Sequence, residues 1–100
     1  MRAYANRKDS NHADVVAAFR AAGCLVVDVS NVACGCDLFV WSRQSGWMPF
    51  EIKDGEKPPS ARRLTETEIA LQQQCRAAGA PYVIVLSCDE AVKLTGGNSR

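Results

Sequence analysis

Three polar residues occupy positions where the apolar pattern of the chain predicts strands. Asp37 opens one apolar stretch, and Glu51 and Lys53 interrupt another with a single residue between them. Side chains two positions apart on a strand point to the same face of a sheet. A hairpin between the two stretches would place Asp37 beside Glu51, so two carboxylates and one ammonium are expected to share a small surface.

Such a surface is suited to the hydrolysis of phosphodiesters. Carboxylate oxygens are the ligands that Mg²⁺ or Mn²⁺ prefers, and the main-chain carbonyl of Ile52 and waters would be further ligands. The ion would lower the pKa of a bound water and polarise a phosphate. Lys53 would orient that water or stabilise the charge that develops on the phosphate. An acid-x-Lys triplet by itself is more often a solvated strand face with a weak ion pair, so this interpretation depends on Asp37.

The strands that must position these residues are predicted from apolar and β-branched runs. A turn at 43–46 is predicted to join the second and third strands into a hairpin. The predicted strands cover residues 24–29, 37–41, 47–53 and 82–86. The continuous apolar character of the last strand predicts burial on both of its faces.

Three helices are predicted around these strands. Their predicted N-caps are Ser10, Thr65 and Ser87, and Glu68 completes a capping box with Thr65. The element order is therefore α-β-β-β-α-β-α. It predicts an α/β fold in which one mixed, four-stranded sheet is flanked by helices.

Length and composition predict one ordinary globular domain that spans residues 1–100. The chain has 100 residues, of which 47% are hydrophobic and 23% are charged. Residues 1–9 are polar and basic and are predicted to form a flexible arm. The apolar runs are too short to span a bilayer, and the N-terminus lacks the pattern of a signal peptide. We therefore expect a soluble, cytoplasmic protein with no membrane partner.

Basic residues are clustered although the net charge is only +1. Lys57, Arg62 and Arg63 follow the acidic pair, and Arg7 and Lys8 precede the first helix. Lys and Arg beside a carboxylate–metal site would contact the phosphates of a nucleic acid. For any one of these residues, ordinary solvation is the simpler explanation.

Five cysteines suggest free thiols in a reducing compartment. Cys34 and Cys36 form a C-x-C pair. A zinc site usually needs four ligands with wider spacing. A thiol-based metal or redox protein nevertheless stays open as an alternative to an enzyme that acts on phosphodiesters.

Two segments resemble the paired motifs of a known nuclease family. They are Gly35–Val40, with the sequence GCDLFV, and Phe50–Gly55, with the sequence FEIKDG. Together they resemble PD-(D/E)XK nucleases, most of all the small stand-alone VRR-NUC-like and Holliday-junction-resolvase-like enzymes of phages and bacteria. The resemblance runs from about Arg7 to Thr95. It implies a restriction-endonuclease-like α-β-β-β-α-β core and a Mg²⁺- or Mn²⁺-dependent endodeoxyribonuclease.

The resemblance also implies a role for individual residues. Asp37 and Glu51 match the metal-binding acids, and Lys53 matches the catalytic lysine. Asp14 matches an acidic residue of the first helix that assists the metal. Gln72, with Gln73 as a rival, matches an auxiliary glutamine on the helix after the lysine.

His12 and Cys36 are two further candidates that lie near the motifs in the sequence. His12 is an auxiliary candidate because it shares the first turn of the first helix with Asp14, although a surface or capping role is the more common one. Cys36 stands where the family usually has proline. Its thiol raises the hypothesis of soft-metal binding or oxidative inhibition next to the metal.

The resemblance implies DNA as the partner, as a duplex or as a branched, flap or junction structure. It also implies a homodimer, for which Phe39, Trp41 and Trp47 are candidate interface residues; packing within the chain is the alternative for the two tryptophans. A catalytically silent module of the same fold, which binds nucleic acid or another partner, is the alternative function.

Overall fold

The structure is a computed structural model, and it describes residues 9–95. Within that range the elements follow in the predicted order α-β-β-β-α-β-α, with a short 3₁₀ helix at Pro59–Arg62. The helices and strands are α1 (His12–Ala21), β1 (Leu25–Asp28), β2 (Leu38–Ser42), β3 (Gly46–Ile52), α2 (Glu66–Ala78), β4 (Val83–Val85) and α3 (Cys88–Thr95). None of these helices is long and apolar enough to cross a membrane.

The four strands form one mixed sheet in the order β1-β2-β3-β4, which confirms the predicted α/β fold. The first two pairings are antiparallel, and β3 pairs with β4 in parallel. The predicted hairpin joins β2 to β3, with Ser42 opposite Gly46 and Leu38 opposite Phe50. Because Asp37 immediately precedes Leu38, the hairpin brings it to the end of β3 that carries Glu51.

The hydrophobic core lies between one face of the sheet and the helices α1 and α3. Leu38, Phe50 and Ile52 are almost completely buried there, and the rings of Phe19 and Phe50 have their centroids 4.8 Å apart. Full burial of each such side chain contributes about 1.5–3 kcal/mol. Since Phe50 and Ile52 point into this core, Glu51 and Lys53 point to the opposite face of the sheet.

On the opposite face, α2 approaches the sheet near Glu51, since Glu68 Oε1 lies 3.1 Å from Lys53 Nζ. Leu25 and Trp47 are 59% and 54% exposed, and they lie on either side of Trp41 in the sheet. Trp41 and Trp47 are thus neighbours on adjacent strands of the hairpin. The prediction that β4 is buried on both faces is wrong, because Ile84 points to this face of the sheet and is 36% exposed.

The predicted caps of α2 and α3 are confirmed. Thr65 and Glu68 form a complete capping box at the start of α2. The Ser87 hydroxyl accepts a hydrogen bond from the Glu90 N–H at 3.2 Å. Gly79 ends α2 in the left-handed region, with φ of 74°.

The predicted Ser10 cap of α1 is wrong. The N-cap is Asn11, which makes no side-chain capping bond. Instead, the Ser10 hydroxyl donates to Asp54 Oδ2 at 2.8 Å, and the Asn11 amide donates to the carbonyls of Lys53 and Leu86, at 3.3 Å each. Both side chains therefore tie the start of α1 to the end of β3. Of the predicted arm, residues 1–8 lie outside the described residues.

Candidate active site

Asp37 is held against β3 by two hydrogen bonds. Its N–H donates to the carbonyl of Phe50 at 3.0 Å, and its Oδ2 accepts from the Ile52 N–H at 2.9 Å. In a strand the N–H and the carbonyl of one residue leave on the same side of the chain. The Ile52 carbonyl therefore leaves β3 on the side where Asp37 lies. Burial raises the pKa of Asp37, although the bond from Ile52 opposes that effect.

Glu51 is a deeply buried acid, with only 3% of its surface exposed. Its Oε2 lies 3.3 Å from Lys53 Nζ, whereas its Oε1 is buried without a hydrogen-bond partner. Burial, the adjacent Glu68 and the charge of Asp37 raise the pKa of Glu51 to about 10. At neutral pH and without a metal ion, Glu51 is therefore protonated.

Lys53 follows the last residue of β3 and continues its pairing, since its N–H donates to the Val85 carbonyl at 3.0 Å. Its Nζ lies 3.1 Å from Glu68 Oε1 and 3.3 Å from Glu51 Oε2. Burial disfavours the ammonium, but Glu68 and Glu51 together outweigh burial and raise the pKa of Lys53. The lysine is charged.

Glu68 is a site residue that the sequence analysis missed. Burial alone would raise its pKa, but the adjacent Glu51 and hydrogen bonds from the Thr65 N–H and Lys53 lower it overall. The metal-free site thus contains one ammonium at Lys53, one carboxylate at Glu68 and one carboxylic acid at Glu51. Lys53 and Glu68 form the ion pair, and the 3.3 Å contact between Lys53 and Glu51 joins a cation to a neutral acid.

The loop before Asp37 is in close contact with α2. Gly35 has a φ of +108°, and a Cβ at this position would lie 2.7 Å from Leu71 Cβ and 2.9 Å from the Thr67 carbonyl oxygen. The Tyr82 hydroxyl donates to the Gly35 carbonyl at 2.7 Å. Burial and the nearby Glu51 raise the pKa of Tyr82, so this hydroxyl stays protonated. Only glycine fits here, and its absence of a side chain lets α2 approach the site.

The auxiliary candidates Asp14 and Gln72 are not brought into contact with the carboxylates. Asp14 is exposed on α1. Its charge acts on Cys88 of α3, where burial and Asp14 raise the pKa of the thiol. Gln72 is half-buried on the same face of α2 as Glu68, four residues further along the helix. Its rival Gln73 is exposed.

His12 lies close to the site but is bound to another acid. It is 5% exposed, and its Nε2 lies 3.0 Å from Asp28 Oδ2. Its Nδ1 is buried without a hydrogen-bond partner. Asp28 also accepts two hydrogen bonds from Ser30, at 2.9 and 2.6 Å. Burial is the largest effect on the pKa of Asp37 and raises it, whereas the nearby His12 acts in the opposite direction and favours the carboxylate.

The basic residues that follow Lys53 are accessible to different degrees. Arg63 is exposed, and Lys57, with a half-exposed side chain, lies 3.6 Å from the Asp9 carboxylate. Arg62 is half-buried, and its Nε has no hydrogen-bond partner. The loop that carries these cations begins after Lys53 and ends at Thr65, so both of its ends lie at the site. The other two, Arg7 and Lys8, lie outside the described residues.

Of the C-x-C pair, Cys36 is enclosed by the protein. Cys36 is buried, and its Sγ is 3.7 Å from the Leu38 carbonyl. Burial and the neighbouring Cys34 raise the pKa of Cys36 to about 12. Cys34 and Cys36 are both free thiols. The Cys36 thiol next to Asp37 therefore stays protonated and packs as a small apolar side chain.

A divalent cation can be tested against this donor set. Among residues 9–95, no group of three or more His, Cys, Asp or Glu side chains could hold a metal ion. Asp37, Glu51 and the Ile52 carbonyl are a smaller set, two carboxylates and one carbonyl, and Mg²⁺ commonly binds through one or two carboxylates while it keeps several waters. The unpartnered Oε1 of Glu51 is an oxygen that such an ion would satisfy. In chemical type, the residues fit a hard divalent cation.

Comparisons of the chain with protein-family models, with curated proteins and with solved structures found no match.

Proposed function

We propose that this chain is a Mg²⁺- or Mn²⁺-dependent endonuclease of the PD-(D/E)XK type, with a restriction-endonuclease-like core. The observation that carries the proposal is Glu51. A glutamate that is 3% exposed, with one oxygen unpartnered and a second acid close by, is costly in a fold of this size. A cation bound by Asp37 and Glu51 would stabilise both acids and would explain why the fold buries them. Perturbed pKa values of this kind are common at active sites.

The proposed roles follow from the positions of the side chains. Asp37, Glu51 and the Ile52 carbonyl would hold the cation, which when bound would polarise the phosphate and supply an activated water. Lys53 has three N–H donors, one of which donates to Glu68 Oε1. Another would donate to the phosphate or to the attacking water, where it would stabilise the developing negative charge.

DNA is the proposed substrate. Three cations, Lys57, Arg62 and Arg63, lie on the loop that begins at the catalytic lysine. Contacts with phosphates orient a nucleic acid without reading its sequence. This arrangement favours a nuclease that recognises the shape of its substrate, such as a branch, flap or junction, over one that reads bases.

The test is cleavage of a labelled four-way junction and of its matching linear duplex, with Mg²⁺, Mn²⁺ or EDTA. We expect cutting that requires the metal and is abolished by Glu51→Gln and by Lys53→Ala. Glu66→Gln, which removes an exposed acid from α2, is the matched control and should cut normally. If the wild type binds DNA tightly without metal and cuts neither substrate, the catalytically silent binding module replaces the enzyme.

A homodimer is proposed as the active form, because two sites are needed to cut two strands. The open face of the sheet, with Leu25, Trp41 and Trp47, is the proposed interface, since these apolar side chains are partly or largely exposed in the single chain. Sedimentation at several concentrations tests this. Trp47→Lys should shift the protein to the monomer, and a wild type that is monomeric at all concentrations rejects the dimer.

A further inference from the structure

One oxygen of Glu68 holds both the ammonium of Lys53 and the start of α2. Glu68 Oε1 lies 3.1 Å from Lys53 Nζ and accepts the Thr65 N–H at 2.8 Å. The side chains of Lys53 and Glu68 are only 10% and 16% exposed. Since both donors converge on the same atom, the ammonium has a fixed position relative to the first turn of α2.

Glu68 is the stronger of the two partners of the lysine. A lysine side chain has a flexible stem and loses conformational freedom when it is held in one place. Of the two contacts that Lys53 Nζ makes with acids, only the one with Glu68 has the geometry of a hydrogen bond. Glu68 is the nearer acid, at 3.1 Å against 3.3 Å for Glu51, and its ion pair with Lys53 is nearly closed to solvent.

We propose that Glu68 is a positioning residue, which fixes the Lys53 ammonium beside Glu51. The contact also closes the basic loop, because Lys53 precedes the loop and Glu68 follows it. The effect on catalysis rests on the proposed function, whereas the effect on the lysine itself does not.

The test compares three variants at the start of α2. Glu68→Gln keeps the capping box, since glutamine serves at this position, but it removes the charge that holds the lysine. Glu66→Gln removes the same charge from the same turn of the helix, at an exposed position. Thr65→Ala removes the capping side chain and leaves the carboxylate of Glu68 in place.

The first measurement is the ¹⁵N NMR signal of the Lys53 ammonium in the metal-free protein, assigned by its absence in Lys53→Ala. A buried, hydrogen-bonded ammonium exchanges its protons slowly enough to be seen. We expect this signal in the wild type, Glu66→Gln and Thr65→Ala, and its loss in Glu68→Gln.

The second measurement is steady-state cleavage under the conditions that the wild type prefers. Misplacement of a catalytic group by about 1 Å can lower the rate about 100-fold. We expect kcat of Glu68→Gln to fall about 10- to 100-fold while KM changes by less than about 3-fold, the pattern of an interaction made in the transition state. Glu66→Gln should match the wild type.

The outcomes separate this inference from the proposed function. An intact Lys53 signal in Glu68→Gln overturns the inference, and so does a rise in kcat, because Glu68 would then block the lysine. An equal loss of kcat in Thr65→Ala with the signal intact also overturns it, since the effect would come from the helix start. A wild type that cuts nothing, with a Lys53 signal that depends on Glu68, supports the positioning and rejects the nuclease.

Discussion

Replacement of Glu51 by glutamine should stabilise the metal-free protein while it abolishes cleavage. Glutamine has nearly the same shape and cannot ionise. In the wild type, burial, Glu68 and Asp37 raise the pKa of Glu51 to about 10 from an ordinary value of 4.5. The folded state therefore binds this proton more tightly than the unfolded state does. At any pH at which Glu51 ionises in the unfolded chain, this difference lowers the free energy of unfolding.

The sign and the magnitude follow from that difference. The contribution of Glu51 to the free energy of unfolding is fully present below pH 4.5, the ordinary pKa of the group. It is lost progressively as the pH rises toward 10, the pKa in the folded protein. Each pH unit in this interval costs about 1.4 kcal/mol, so the loss at pH 7 is about 3 kcal/mol. For a domain of this size, about 3 kcal/mol corresponds to a difference in Tm of about 10 °C or more. Glu51→Gln is free of this loss.

The assay is thermal unfolding of both proteins at several pH values in EDTA and again in Mg²⁺. In EDTA we expect Glu51→Gln to be the more stable at pH 7 and the two proteins to converge near pH 4.5. Mg²⁺ should then raise the Tm of the wild type and leave that of the variant unchanged, because a ligand stabilises only the state that binds it. If Glu51→Gln is less stable than the wild type at pH 7, Glu51 is ionised in the folded protein and this reasoning fails.

Three further substitutions or modifications test other parts of the site. Gly35→Ala should lower the free energy of unfolding, measured in urea, by about 1–3 kcal/mol, because it adds strain at positive φ and a clash with Leu71. Gly23→Ala, also at positive φ but with open space around it, should lower it by less. Equal losses in the two variants would contradict the clash. Cys36 should resist iodoacetamide at pH 8 in the folded protein and react after unfolding, since its pKa is raised to about 12; rapid labelling of Cys36 in mass spectra of the native protein would show an accessible thiolate. Arg63→Ala should weaken DNA binding and reduce the slope of log Kd against log salt by about 1; an unchanged slope would remove Arg63 from the interface.

The parts of the fold that depend on local patterns were predictable from the sequence. Alternating side chains and a turn predicted the hairpin, and the hairpin alone brings Asp37 to the end of β3. The capping box of α2 was predictable for the same reason, since Thr65 and Glu68 lie within one turn. These features need no knowledge of how distant segments pack.

The missed features depend on contacts between segments that are distant in sequence. Ser10 has the right chemistry for an N-cap, but the Asp54 carboxylate binds its hydroxyl instead. Glu68 was assigned to the capping box, and nothing in the local pattern showed that the same oxygen also binds Lys53. Ile84 follows the apolar pattern of a strand buried on two sides, yet its side chain is 36% exposed.

The parallel pairing of β3 with β4 has a consequence for the order in which the protein folds. The strands β1, β2 and β3 are joined by short connections, whereas β4 reaches its place only after the whole of α2 has been traversed. Contacts of low sequence separation close at a smaller entropic cost, so we expect the three-stranded meander to form in the folding transition state and β4 to dock later. Val40 in β2 and Val85 in β4 are both fully buried, and Val40→Ala should slow refolding while Val85→Ala should mainly accelerate unfolding. The carboxyl groups of Asp37 and Glu51 would then meet while they are still in water, and they would lose their hydration only as the last strand arrives.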